Sequence, residues 1–208
     1  FMSATCMKLH IPTIRPQLAA CLLGIACTAA ASSAWACTRL VYHGVNGHVV
    51  TARSMDWKSD IVSNLWVLPR GMQRSGETGE NTIRWTSKYG SLITSGYDIA
   101  TTDGVNEAGL NANLLWLVES EYPAFSASSK PGLTIAAWAQ YVLDNFATVQ
   151  EAVDALAKEP FTLVTDHLPG ENRLTTLHLS MSDSRGDSAI VEYIDGKQVI
   201  HHSRDYQV

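Results

Sequence analysis

Residues 33–57 read SAWACTRLVYHGVNGHVVTARSMDW, and the organisation of the whole chain follows from this stretch. Ser33-Ala34-Trp35-Ala36 sets small residues where a signal peptidase reads them, so cleavage would make Cys37 the first residue of the exported chain. One residue would then carry a thiol beside a free α-amine. A thiol ordinarily ionises near pH ~8.5 and an α-amine near ~7.7–8.0, so around neutrality the amine is a usable base. Residues 39–42 and 48–52 are β-prone and flank Gly44-Val45-Asn46-Gly47. Asn-Gly between such runs signals a hairpin. The hairpin lays its second strand beside the one that starts at Cys37, which brings Arg53 and Asp56 towards the thiol.

Upstream of this stretch, Met7 opens a secretory leader. Lys8 and Arg15 supply its positive region, residues 18–31 its short apolar core, and Ala34 and Ala36 its cleavage site. The apolar core is too short to span a bilayer. Phe1 and the five residues after it precede Met7 and lie outside the leader. Residues 1–36 are therefore set aside from the fold, and 37–208 are read as one domain with a real core. Lipidation is the competing fate for a cysteine behind a leader. Leu18-Ala19-Ala20-Cys21 lacks an apolar run ahead of it, and Ala34-Trp35-Ala36-Cys37 is a poor lipidation box because Trp35 is bulky. No later stretch is long and apolar enough for a membrane helix.

Lys8 and Arg15 are the only charged residues of the leader. Removing these two from 15 basic residues leaves 13 against 20 acidic ones, a formal charge of −7. Such a balance argues against a nucleic-acid partner. Cys6, Cys21 and Cys27 leave with the leader, so the exported chain has one cysteine and no internal disulfide. An unpaired thiol in an oxidising compartment points to use.

Further strands are expected over residues 64–68, 83–85, 91–95 and 110–118, with a polar, Gly-rich loop over 71–80. Two helices follow. Pro131-Gly132 leads into 133–146, where Ile135, Trp138, Val142 and Phe146 recur at helical spacing. Thr148-x-x-Glu151 is a capping box that opens a helix to Lys158, and Pro160 closes it. Strands return over 175–181, 189–194 and Lys197–His202, with Asp195-Gly196 turning the last hairpin. Strands, two helices, then strands is an α+β order. Arg185-Gly186-Asp187 reads as a tight turn. His201 and His202 would sit on opposite strand faces, a poor metal chelate. Neither a zinc-spaced cluster, a phosphate loop nor a Gly-x-Ser-x-Gly elbow occurs, so no metal or cofactor is expected.

Arg53 and Asp56 are the candidate partners of Cys37: a cation for the thiolate, a carboxylate to hold the amine. Three residues apart on a flat strand they would face opposite ways, so the strand must end or bulge at Ser54-Met55. Cys37-Thr38-Arg39-Leu40, Thr51-Ala52-Arg53-Ser54-Met55-Asp56-Trp57 and Asp103-Gly104-Val105-Asn106-Glu107-Ala108-Gly109-Leu110 together resemble the choloylglycine hydrolase family of N-terminal-nucleophile hydrolases, from Cys37 to the end of the chain. Ser87-Lys88-Tyr89-Gly90, Leu114-Leu115-Trp116-Leu117 and Asp195-Gly196-Lys197-Gln198-Val199 are most similar to its Gram-negative penicillin V acylases.

The resemblance implies an αββα four-layer sandwich of two antiparallel sheets, here C-terminally incomplete. It makes Cys37 the nucleophile with its α-amine as proton shuttle, and Arg53 and Asp56 its catalytic partners. Trp57 and Trp116 would wall the acyl group of a small-molecule amide, and the Trp116 backbone N–H would help form the oxyanion hole. It also implies that the family continues past Val208 with an Asn and a further catalytic Arg. A secreted, periplasmic penicillin V acylase, possessing no cofactor and assembled as a homotetramer, is the expected protein, with N-acyl homoserine lactones as further substrates. The alternatives are a conjugated bile salt hydrolase and, from another class, a non-catalytic exported fragment or lipid-anchored binding protein. Intact mass with N-terminal sequencing of the exported protein is expected to give a chain that starts at an unmodified Cys37; any other start, or an acylated Cys37, counts against the hydrolase.

Overall fold

The computed structural model describes residues 37–204, within a compact unit that runs from Ala36 to Val208. The leader, its cleavage site and the lipidation boxes lie outside the described residues. Strands β1 (Thr38–His43) and β2 (Val49–Ser54) form the expected hairpin, and Asn46 and Gly47 both take positive φ, 61° and 77°. An Asn-Gly pair accepts that left-handed backbone with little strain.

A seven-stranded antiparallel sheet follows. Its members are β3 (Leu65–Leu68), β6 (Ser91–Gly96), β7 (Ala100–Asn106), β8 (Asn111–Trp116), β11 (Leu177–Ser182), β12 (Ser188–Ile194) and β13 (Lys197–His202), in the spatial order β13-β12-β11-β8-β7-β6-β3. Two small accessory pairs join β4 (Gln73–Ser75) to β5 (Arg84–Thr86) and, in parallel, β9 (Gly132–Thr134) to β10 (Thr162–Val164). Helix α1 (Ile135–Asn145) and helix α2 (Val149–Leu156) lie on one side of the large sheet.

The two faces of that sheet differ in chemistry. Ile93, Ala112, Leu114, Leu179, Met181 and Val191 belong to one buried cluster with Trp138, Val142, Leu143, Val149 and Leu156 of the helices. Each such fully buried Leu or Val contributes about 1.5–3 kcal/mol over exposure. The opposite face carries Asp103, Asn113 and Ser182, and the β1–β2 hairpin docks there through Arg39, Thr51 and Arg53. Helices, large sheet and hairpin account for three stacked layers; the outer face of the hairpin leaves Leu40, Tyr42 and Val50 exposed.

Differences from the sequence reading are local. Strand β7 occupies a stretch without a strand signal in the sequence, and β4 lies inside the expected loop 71–80. Residues 133–134 extend as β9 instead of opening the helix, because their backbones pair with Leu163 and Val164. The capping half of the box is present, Thr148 Oγ1 accepting from Glu151 N–H at 3.2 Å, while Glu151 Oε2 accepts from the N–H of Ala147, one residue before the cap, at 2.8 Å. That helix ends at Leu156, two residues early, where Ala157 caps it.

The Asp103–Leu110 motif now has a physical reading. Asn106 Nδ2 donates to the Leu143 and Phe146 carbonyls, both at 2.8 Å, and its Oδ1 accepts from Ala108 and Leu110 N–H, which ties the β7–β8 turn to the end of α1. Gly104 lets α1 approach: a Cβ there would lie 2.6 Å from Leu143 Cδ1 and 2.8 Å from Ile93 Cγ2. Gly104→Ala is therefore expected to destabilise by roughly 1–3 kcal/mol, read as a lower urea midpoint with unchanged m-value; a midpoint equal to that of the parent would refute the close-approach argument.

Candidate active site

Register places the nucleophile candidate. In the hairpin Thr38 faces Ser54 and Arg39 faces Arg53. Cys37 stands one step beyond, on the same side as Arg39, Arg53 and Met55, because strand side chains alternate. That side packs inward, so Cys37 is a half-buried free thiol and Arg39 is 2% exposed. Strand β2 ends at Ser54, the position the sequence reading required.

Cys37 and Arg53 open on a shared cavity of about 300 Å³, walled by Met55, Trp57, Leu114 and Trp116. This is the small end of the size range for small-molecule clefts. The two indoles lie 5.0 Å apart, centroid to centroid, inclined by 48°. Trp57 Nε1 donates to Tyr97 OH at 3.2 Å. Tyr97 and Asp98 both take left-handed backbone, φ 52° and 56°, without glycine. Asp98 stabilises that turn by accepting from Asn64 Nδ2, Trp66 Nε1 and Ser95 Oγ, hydrogen bonds that also hold its carboxyl below the usual range.

Arg53 Nη1 donates to Asp103 Oδ2 at 2.7 Å and Nη2 to the Leu114 carbonyl at 2.7 Å. Asn113 Nδ2 donates to Asp103 Oδ1 at 2.8 Å, and Arg39 Nε to Asn113 Oδ1 at 2.8 Å. Burial raises the Asp103 carboxyl above its ordinary value, against the opposing pull of Arg53. Burial also lowers Arg39 to about 10, against the opposing pull of Asp103, and leaves it charged at neutral pH. Asp56 is exposed, accepts from Ser54 Oγ at 2.7 Å and is not part of the cavity wall. The structure thus brings Cys37, Arg53, Trp57 and Trp116 to one cavity and pairs Arg53 with Asp103, while Asp56 stands outside it.

The backbone of β8 bears on the Trp116 N–H. Asn106 N–H donates to the Leu110 carbonyl, so even-numbered residues of this strand turn their backbone groups towards β7. Leu117, an odd residue, donates towards β11, to the Thr176 carbonyl. The β7 ladder stops at Asp103 and Asn113. Beyond that point the Leu114 carbonyl takes Arg53, and the Trp116 N–H is the next backbone donor along the same edge.

Three contributors escaped the sequence reading. Tyr97 and the segment His167, Leu168 and Pro169 join the cavity wall. Arg173 lies over both indoles, its Cζ 5.2 Å from the Trp57 ring and 4.6 Å from the Trp116 ring. Glu171 bridges Arg173 Nε (3.2 Å) and Lys58 Nζ (2.9 Å), which fastens that segment beside Trp57. No local signal marks these residues, since each acts through a partner distant in sequence. Among the described residues no group of three or more His, Cys, Asp or Glu converges as for a metal; His201 and His202 instead face Glu192 and Asp187.

A sequence profile for the linear amide C–N hydrolases of the choloylglycine hydrolase family matches residues 37–208. A penicillin V acylase from Pectobacterium atrosepticum is 58% identical over 192 residues, covering 88% of this chain and 51% of that protein. The structure of a penicillin V acylase from Agrobacterium tumefaciens superposes with a TM-score of 0.75 at 68% identity, over 82% of this chain and 50% of that one. A conjugated bile acid hydrolase from Clostridium perfringens superposes with a TM-score of 0.66 at 26% identity, over 81% and 51%. The chain therefore spans about half the length of the relatives it matches.

Arg173→Ala should leave overall stability within about 1 kcal/mol, the scale of an exposed cation–π contact. It should also make the Trp57–Trp116 pair more accessible to acrylamide in tryptophan-quenching experiments. Unchanged quenching would show that Arg173 does not order the indoles.

Proposed function

The chain belongs to the choloylglycine hydrolase family of linear amide C–N hydrolases, and on that premise we propose that it acts as a penicillin V acylase-type amidohydrolase with Cys37 as nucleophile. The observation that carries this reading is that the family match begins at residue 37, the residue whose thiol shares an apolar, indole-walled cavity with a buried arginine.

The proposed cycle starts with removal of the leader, which frees the α-amine of Cys37. That amine takes the thiol proton, and Sγ attacks the amide carbonyl of the substrate. Arg53 supplies positive charge beside the sulfur, and the Trp116 N–H donates to the oxyanion that develops on the carbonyl oxygen. As the C–N bond breaks, the α-ammonium returns its proton to the departing amine, leaving a thioester on Cys37. Water, with its proton taken by the same amine, attacks the thioester and releases the acid. Asp56 is the candidate to hold the α-ammonium, a charge that arises only at the cleaved terminus.

Penicillin V offers a phenoxyacetyl amide, and a flat ring or flexible acyl chain suits two inclined indoles in a cavity of about 300 Å³. The acyl chains of N-acyl homoserine lactones fit the same description, and a rigid sterol fits it less well. The reading places the enzyme in the periplasm, after export by the leader at residues 7–36. Cys37→Ser in the full-length protein is expected to cut release of 6-aminopenicillanic acid from penicillin V by at least about 10³-fold while substrate still binds. Turnover equal to that of the parent would remove Cys37 from this role.

A further inference from the structure

Arg53 is held from behind by buried polar groups that the proposed cycle leaves unused. Asp103 spends both carboxylate oxygens in this layer, Oδ2 on Arg53 and Oδ1 on Asn113, and Asn113 in turn accepts from Arg39. All of these side chains lie between the hairpin and the large sheet, with Arg53 10% and Asp103 13% exposed. Two observations make this more than a clamp between layers.

The first is the like-charge pair. Arg39 and Arg53 are direct cross-strand partners on the inward side of the hairpin. Like charges opposite each other repel, so each guanidinium needs a fixed partner to remain where it is. Asp103 serves Arg53 directly and Arg39 through Asn113. The second is the state of Arg53 itself. Its Nη1 and Nη2 are both used, by Asp103 and by the Leu114 carbonyl. With those two nitrogens fixed and its Nε sealed from solvent, Arg53 still lines the cavity that holds Cys37. A guanidinium is a rigid planar fork, so fixing two of its nitrogens fixes the plane and position of its charge at that wall.

We propose that Asp103 is a positioning residue of this hydrolase: it aims the Arg53 guanidinium, holding its charge at the wall of the cavity in which Cys37 meets the substrate. The inference rests on the hydrolase reading given above. Asn113 and Arg39 hold Asp103 in turn, which extends the aiming device across both strands of the hairpin. A misplacement of about 1 Å in such a group costs on the order of 10²-fold in rate.

The test is a double-mutant cycle in the full-length, cleaved enzyme. It reads kcat and KM for penicillin V, and the iodoacetamide alkylation rate of Cys37 by peptide mass spectrometry. Asp103→Asn keeps the shape but removes the charge. It should lower kcat about 10²-fold with KM within about threefold, and slow alkylation of Cys37. In an Arg53→Gln background the same substitution should change either quantity by less than about threefold, because nothing remains to be aimed. Asn113→Ala serves as the milder variant should Asp103→Asn fail to fold, and its loss should likewise vanish without Arg53. Wild-type kcat in folded Asp103→Asn, or an equal loss with and without Arg53, would reduce Asp103 to a structural clamp and overturn the proposal. Undiminished turnover by Cys37→Ser, run alongside, would overturn the hydrolase reading beneath it instead.

Discussion

An ion pair buried between two β-layers, Arg53 with Asp103, is the constraint that the rest of the site depends on. Charges taken out of water are costly, by several kcal/mol per ion, and are tolerated only when paired and hydrogen-bonded. Here both oxygens of the carboxylate and two nitrogens of the guanidinium find partners. Removing one member of such a pair typically costs about 3–5 kcal/mol, because the other is left buried and uncompensated. The hairpin that begins at Cys37 is therefore registered on the sheet by polar geometry. An apolar interface would tolerate a slip more readily, since hydrophobic contact is non-directional.

This explains why the large sheet is so uneven. Its helix-facing side is an ordinary apolar core around Trp138, Leu143 and Met181, and supplies stability. Its other side gives up that stabilisation for Asp103, Asn113 and Ser182, which set the position of the β1–β2 hairpin. The cavity opens where the two regimes meet, at the end of β8, with Leu114 serving the core and Trp116 the wall. The strained Tyr97–Asp98 turn and the Arg173 segment complete that wall from the loops. Non-glycine residues at positive φ persist only where surrounding bonds over-determine them, and the three donors on Asp98 do so here.

What was legible in the sequence was whatever is encoded locally. The Asn46-Gly47 turn, the Thr148–Glu151 capping box and the periodicity of Ile135, Trp138 and Val142 each act within a few residues, and each reappears in the fold. Strand β7 was not legible. Ala100–Asn106 reads ATTDGVN, whose β-branched residues are interrupted by Asp103-Gly104, a pair that reads as a turn. Its Gly104 and Asp103 are dictated by α1 on one face and by Arg53 on the other. The same limit governed the site. Spacing offered Arg53 and Asp56 as partners of Cys37 and carries no sign of Asp103, which the sheet brings to Arg53 from fifty residues away. Arg173 and Tyr97 were hidden for the same reason.

The charges of the interlayer bear on the role proposed for Cys37. Arg39, lowered only to about 10, and Arg53 face inward together on the hairpin that follows Cys37, with Asp103 bonded to Arg53. Acyl transfer by a thiol puts negative charge first on sulfur and then on the carbonyl oxygen. On the proposed reading, a cation already fixed in that layer would meet this charge without reorganising at the moment of reaction, and this is where electrostatic stabilisation is largest.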